Sequence, residues 1–216
     1  MKNYKYLFFD LDGTLTDPGE GITNSVAYAL EKFGICVADK TTLHPFIGPP
    51  LVESFIQFYG FSREDAARAV ESYREYFRDR GIFENVPYAG ITEVLEKLQA
   101  AGKTLIVATS KPEPFARRIM EHFGLDKYFT YVAGASFDAA RSEKWDVIEY
   151  ALATMNITDR ADAVMIGDRK HDIIGAQKTG LDSVGVLWGY GSREELTAAG
   201  ADTIVECVEQ LDFLAQ

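Results

Sequence analysis

The sequence holds only 2 cysteines, Cys36 and Cys207, among 216 residues. Thiols so few and so far apart exclude a disulfide framework and a zinc site, and they read as the reduced thiols of a cytoplasmic protein. Long hydrophobic runs are missing too: no stretch approaches the ~18 consecutive apolar residues of a membrane span. The opening Met1-Lys2-Asn3-Tyr4-Lys5 lacks the apolar region and small-residue cleavage site of a secretory signal. Positive charge is scarce, with 22 Lys and Arg against 33 Asp and Glu, a net charge of −11 and no basic block. That argues against a nucleic-acid polymer or an anionic membrane as partner, because both are held by basic surfaces. A small anionic substrate stays open, since a metal ion and a few placed cations can reverse the local field.

What is present points to one fold class. Hydrophobic residues make up 47% of the chain, enough for one sizeable core or for one core with a small accessory domain. Apolar runs at 4–10, 104–109, 131–135, 163–167, 183–187 and 203–206 read as strands. Between them lie helical stripes such as Ile91, Val94, Leu95 and Leu98, or Phe115, Ile119 and Phe123. Strands alternating with helices imply an α/β domain with a doubly wound, Rossmann-like parallel sheet covered on both faces. The alternation fails from 17 to 86, where stripes such as Ile22, Val26, Ala29, Leu30 and Phe33 are all helical. Some seventy helical residues are too many for a loop. The expected division is therefore a core of 1–16 plus 87–216 and an inserted helical cap of 17–86, lying over the carboxyl ends of the strands. Asp17 is expected to cap the first cap helix, with Pro18 at its first position.

Those strand ends carry residues that a core would avoid. The first strand ends in Asp10, Asp12 and Thr14, the second in Thr109, Ser110 and Lys111, and a later one in Asp168, followed by Asp172; a helix opens near Lys144. On a strand, positions i and i+2 share a side, so Asp10 and Asp12 can address one substrate. Several carboxylates cannot ionise together cheaply without a cation, which implies Mg²⁺ with oxygen ligands. A carboxylate can attack phosphorus to form an acyl phosphate, and a second can protonate the leaving alkoxide and then deprotonate water. A hydroxyl, a lysine and backbone N–H groups suit the charge of the transferring group. A calcium loop is the main rival for the Asp-x-Asp-Gly run, but Leu15 stands where that loop requires Gly.

Asp10-Leu11-Asp12-Gly13-Thr14, then Thr109, Lys144 and Gly167-Asp168-x-x-x-Asp172, resemble the four ordered motifs of the haloacid-dehalogenase-like phosphatases. The likeness is to the phosphoglycolate phosphatase and 5′-nucleotidase-like branch, where stretches like Gly48-Pro49-Pro50-Leu51 and Thr109-Ser110-Lys111-Pro112 also occur. The resemblance implies that Asp10 is the nucleophile and Asp12 the general acid and base. It implies that Mg²⁺ is held by the Asp10 carboxylate, the Asp12 backbone carbonyl and Asp168, with Asp172 supporting the metal shell. Thr109 and Lys144 then hold the phosphoryl group, and Thr14, Ser110, Lys111, Gly48 and Pro49 are the expected substrate contacts. Lys111 serves either the phosphoryl group or the acidic edge. His171 reads as a loop residue, and Asp138 with Arg141 as a bracing pair.

The cap is expected to choose the leaving group. No Lys or Arg lies between Lys40 and Arg63, so the stretch 43–51 disfavours a doubly anionic substrate and suits a nucleoside 5′-monophosphate at least as well as phosphoglycolate. Phe46 is the aromatic residue expected to face that ligand, while Phe55, Phe58 and Tyr59 read as cap core. Rival classes are a receiver-like signalling module, which is much shorter and has no helical insertion, and a sugar-phosphate mutase, which needs a second phosphate site. A binding protein on an inactive scaffold is disfavoured because all four motifs keep reactive residues. A monomer or weak homodimer is expected.

Overall fold

Apolar strands pair where burial rewards them on both faces, and here six of them form one sheet. The computed structural model describes residues 2–138 and 140–216. In chain order the elements begin with β1 (Tyr6–Phe9), β2 (Thr16–Asp17), α1 (Gly19–Glu31), α2 (Leu51–Tyr59), α3 (Arg63–Tyr76) and β3 (Val86–Pro87). There follow α4 (Ile91–Ala100), β4 (Thr104–Pro112), α5 (Glu113–His122), β5 (Tyr131–Ala135) and α6 (Lys144–Thr154). The last are β6 (Ala163–Gly167), α7 (Lys170–Thr179), β7 (Asp182–Val186), α8 (Arg193–Ala199) and β8 (Thr203–Val205). Two compact units result, one from Met1–Thr16 with Pro87–Gln216 and the other from Asp17–Val86. The division falls within β2 and β3, which pair as a two-stranded sheet.

The larger unit is an α/β domain of Rossmann type. Its sheet runs β5-β4-β1-β6-β7-β8, and every pair is parallel. The most apolar strand, β1, therefore lies centrally, with Phe9 in register with Val107 on one side and Ile166 on the other. After β1 the chain builds outward through β4 and β5, then returns to place β6 on β1's other flank. That reversal opens a crevice at the carboxyl ends of β1, β4 and β6. Phe8, Ile106, Ala108, Ala133 and Met165 bury one face under Val147, Ile148 and Ala151 of α6 and Ala176 of α7. Leu7, Phe9, Leu105 and Val107 alternate onto the other face, where Phe9 meets Phe129 edge-on at 5.9 Å. Each such aromatic side chain contributes about 1.5–3 kcal/mol by leaving water.

The smaller unit is helical throughout its interior. Ser62 Oγ accepts the Asp65 N–H at 3.0 Å and starts α3, as the Ser-x-x-Asp spacing indicates. Helix α1 starts at Gly19, one residue later than expected, and Asp17 Oδ1 accepts the Gly19 N–H at 2.9 Å. Phe46 departs from expectation. It is 2% exposed and packs on Phe55 at 5.0 Å, Phe58 at 5.4 Å and Tyr59 at 6.1 Å, so it is core of this unit, while Phe58 is 43% exposed. Within the same unit Gly48, at φ 102°, is exposed and Pro49 half-buried, just before α2. Among the described residues no helix is long and apolar enough to cross a membrane.

Candidate active site

Three strand ends and two helix starts deliver the charged groups to one place. Asp10 follows β1, and its N–H donates to the Ile166 carbonyl of β6 at 2.9 Å, which fixes the first acid against the strand that carries Asp168. Asp10 Oδ1 accepts the Leu11 N–H at 2.8 Å and pairs with Lys144 Nζ at 2.8 Å. Lys144 stands at the start of α6 and is 5% exposed. Its ammonium also meets Asp172 Oδ1 at 2.8 Å and donates to the Ala108 carbonyl at 3.0 Å. The ammonium is thus hydrogen-bonded to one carbonyl and ion-paired with two carboxylates. Lys144 stands between the Asp10 carboxylate and Asp172.

Asp12 lies two residues on and faces another cation. Its Oδ2 pairs with Lys111 Nζ at 2.7 Å. Its Oδ1 is buried with no hydrogen-bond partner among the described residues. Burial raises the proton affinity of the Asp12 carboxyl above the ordinary Asp value, and Lys111 offsets only part of that. Thr109, 2% exposed, accepts the Lys111 N–H on its hydroxyl at 3.2 Å, and Ser110 is half-buried beside it.

The third group is acidic. Asp10, Asp168 and Asp172 each bring one carboxylate oxygen within 4.8 Å of the others. Asp168 is 1% and Asp172 0% exposed. Burial, then the neighbouring Asp172 and Asp10 carboxylates, push the Asp168 carboxyl well above its ordinary range. Burial pushes Asp172 up to about 6, against the pull of Lys144. Three hard oxygen donors crowded in a buried cluster fit a divalent cation, which relieves their repulsion. The Asp12 carboxylate, turned to Lys111, is not one of the three.

Thr14, expected among the substrate contacts, is fully buried, and its hydroxyl is directed at Asp168 Oδ1 at 3.5 Å. The bracing pair also differs: Asp138 accepts from Ser136 and from the Ala140 N–H, while Arg141 donates to the Gly134 carbonyl at 2.7 Å and pairs with Glu113. His171 is half-buried, and burial, then Arg169 and Lys170, lower its pKa. One segment escaped the motif reading altogether. Trp188-Gly189-Tyr190-Gly191 follows β7; Trp188 Nε1 donates to the Thr14 carbonyl at 3.1 Å and the Tyr190 N–H to Asp168 Oδ2 at 2.7 Å. A Cβ on Gly191 would collide with the Asp168 backbone carbonyl. Two glycines directly after an apolar strand were the available signal.

The crowding has a thermodynamic consequence. Asp168 and Asp172 bind protons more tightly folded than unfolded, so acid favours the folded state. Stability without metal should fall as pH rises from near 3.8, the unfolded carboxyl value, past about 6 for Asp172, and on beyond it for Asp168. A cation in the cluster opposes that loss. Melting the protein in EDTA and in millimolar magnesium chloride, from about pH 5 to about pH 7.5, should give a falling Tm in EDTA and a gain of several degrees with metal near neutrality. Two superimposable, flat curves would contradict this electrostatic account.

Comparison with known proteins agrees with this geometry. Residues 7–186 match the model of the haloacid dehalogenase-like hydrolase family. The chain is 47% identical over 195 residues to a 5′-nucleotidase of Pseudomonas aeruginosa, covering 90% of this chain and 88% of that protein. It is 41% identical over 211 residues to the tyrosine-protein kinase PtkA of Mycobacterium tuberculosis, covering 97% of this chain and 71% of that one. A crystal structure described as a predicted phosphatase from Clostridium acetobutylicum superposes with a TM-score of 0.93 at 51% identity, over 98% of this chain and 97% of that one. With the acids, the lysines and the parallel sheet in the places described, the chain belongs to the haloacid dehalogenase-like hydrolase family.

Proposed function

We propose that the protein is a Mg²⁺-dependent phosphatase that cleaves a small-molecule phosphate monoester through a phosphoaspartate on Asp10. The observation that carries this reading is the division of labour at the end of β1. Asp10 is held by Lys144 and the Leu11 N–H through one oxygen. Asp12 is held by Lys111 through Oδ2 and keeps a buried Oδ1. Two neighbouring carboxylates in such different surroundings are suited to different tasks. Asp10 attacks phosphorus while the bond to the ester oxygen breaks, and that oxygen takes the proton of Asp12. Asp12 then takes a proton from water, whose oxygen attacks phosphorus; the bond to Asp10 breaks and inorganic phosphate leaves. Asp10, Asp168 and Asp172 would hold the Mg²⁺, with the Asp12 backbone carbonyl as the further ligand. The ion, when bound, supplies positive charge to the phosphoryl oxygens. Thr109 and Ser110 stand beside Lys111 at the end of β4, where hydroxyls suit those oxygens.

For the leaving group we favour a nucleoside. The stretch 41–62 carries no Lys or Arg to receive a second anion, and a relative at 47% identity is a 5′-nucleotidase. In this reading the helical unit, including Gly48 and Pro49, selects the leaving group. Phosphate release with Mg²⁺ should be measured for AMP, UMP, phosphoglycolate and pyrophosphate, each repeated with chelator. The expected result is metal-dependent hydrolysis with nucleoside monophosphates at least as good as phosphoglycolate. A preference of about 100-fold for phosphoglycolate, worth about 2.7 kcal/mol, would end the nucleoside assignment.

A further inference from the structure

A proton carrier needs one particular oxygen turned to the leaving group, and the end of β4 contains a device that selects it. Its register with β5 runs evenly to Thr109 opposite Gly134 and then shifts, so that Pro112 is the next residue paired, opposite Ala135. Ser110 and Lys111 form the bulge between them. Such bulges re-aim side chains near functional edges. The Lys111 N–H closes this one onto Thr109 Oγ1 at 3.2 Å. Gly134 leaves room for it: a Cβ there would stand 2.7 Å from the Lys111 carbonyl oxygen and 2.5 Å from Glu113 Cα. The lysine so aimed reaches Asp12 Oδ2 at 2.7 Å, and the two side chains are only 6% and 16% exposed. The other oxygen, Oδ1, is buried without a hydrogen-bond partner among the described residues. A buried carboxylate oxygen left open is uncommon and asks for a partner that arrives later.

Building on the phosphatase reading, we infer that Lys111 is a positioning residue for Asp12: it clamps Oδ2 and so presents Oδ1 to the ester oxygen and afterwards to water. Without the clamp the carboxyl is free to rotate, and the oxygen that carries the proton loses its aim. That defect matters in proportion to how much the leaving oxygen needs the proton. A p-nitrophenolate leaves without one, whereas an alkoxide does not. A lysine that only anchors phosphate, or only supports the fold, serves both esters alike.

The test compares kcat/KM, which reports the steps through cleavage of the ester, for p-nitrophenyl phosphate and an alkyl ester such as AMP, in the full-length protein with Mg²⁺. For Lys111→Met the expected loss is about 10-fold or less on the aryl ester and about 10²-fold or more on the alkyl ester. Lys111→Arg, which can keep the ion pair, should recover part of the alkyl-ester activity. If Lys111→Met does not fold, Lys111→Gln carries the same comparison. Equal losses on the two esters would overturn the inference while leaving the phosphatase reading intact. A wild-type protein that hydrolyses neither ester would bring down both.

Discussion

Asp10→Asn should reduce turnover by about 10⁴-fold or more on every phosphate ester, with aryl and alkyl leaving groups affected alike. The amide is nearly isosteric, so the bonds to Leu11 and the seat beside Lys144 can persist, but its oxygen is a poor nucleophile. The fold should survive. Removing one of three crowded charges also lowers the repulsion that burdens Asp168 and Asp172, so the metal-free variant should melt close to the wild type. The stabilisation by magnesium should shrink, because one oxygen donor has lost its charge. Asp12→Asn is the informative contrast. It should retain more of the first step with p-nitrophenyl phosphate, accumulate acid-stable phosphoprotein after denaturing quench, and lose more of the hydrolysis of that intermediate. Wild-type activity in Asp10→Asn would remove the nucleophile from the scheme.

The parts of this site that the sequence discloses are those fixed by local pattern. Tyr6 to Phe9 is apolar on both faces of a strand, and the two acids after it are conspicuous because they end the most hydrophobic segment. The stripes of α4 and α5 follow the helical period, with Ile91, Val94, Leu95 and Leu98 of the first and Phe115 and Ile119 of the second buried. Sheet order is not local, and no feature of β6 announces that it lies beside β1. The aim of Lys111 depends on a register shift opposite Gly134, which hydrophobic periodicity does not record. The segment 188–191 acts mainly through a backbone N–H on Asp168 and through close backbone approach, so its side chains give little sign of its role. Phe46 reads as a ligand contact from its place in an apolar loop without cations, yet ring contacts with three partners make it core. Lys144 stands out by its place in an ordered set of motifs, whereas the sharing of its ammonium between two carboxylates depends on tertiary packing that local pattern does not record.

That sharing makes Lys144→Met a strongly destabilising change. The ammonium is 3% exposed in its side chain and lies 2.8 Å from both Asp10 and Asp172. Burial alone would lower its pKa, but the two carboxylates more than reverse this and hold it above the ordinary lysine value. Its charge is therefore present throughout the physiological range, and its stabilising contribution would be lost only as strongly alkaline pH reaches the folded pKa. Methionine fills a similar volume but leaves two buried carboxylates facing each other and Asp168. Breaking one side of a buried ion pair costs about 3–5 kcal/mol, so thermal unfolding should shift down by roughly 6–20 °C for a chain of this size. The deficit should narrow on acidification, because protonating Asp172, already raised to about 6, removes one of the stranded charges. A double variant, Lys144→Met with Asp172→Asn, separates structure from chemistry. It removes the stranded charge at Asp172 and should regain much of the lost Tm, yet stay about 10²-fold or more below wild type in kcat, because Asp10 still lacks the cation that holds its carboxylate. If the double variant recovered activity together with stability, Lys144 would be a prop for Asp172 and its pairing with the nucleophile would have no chemical role.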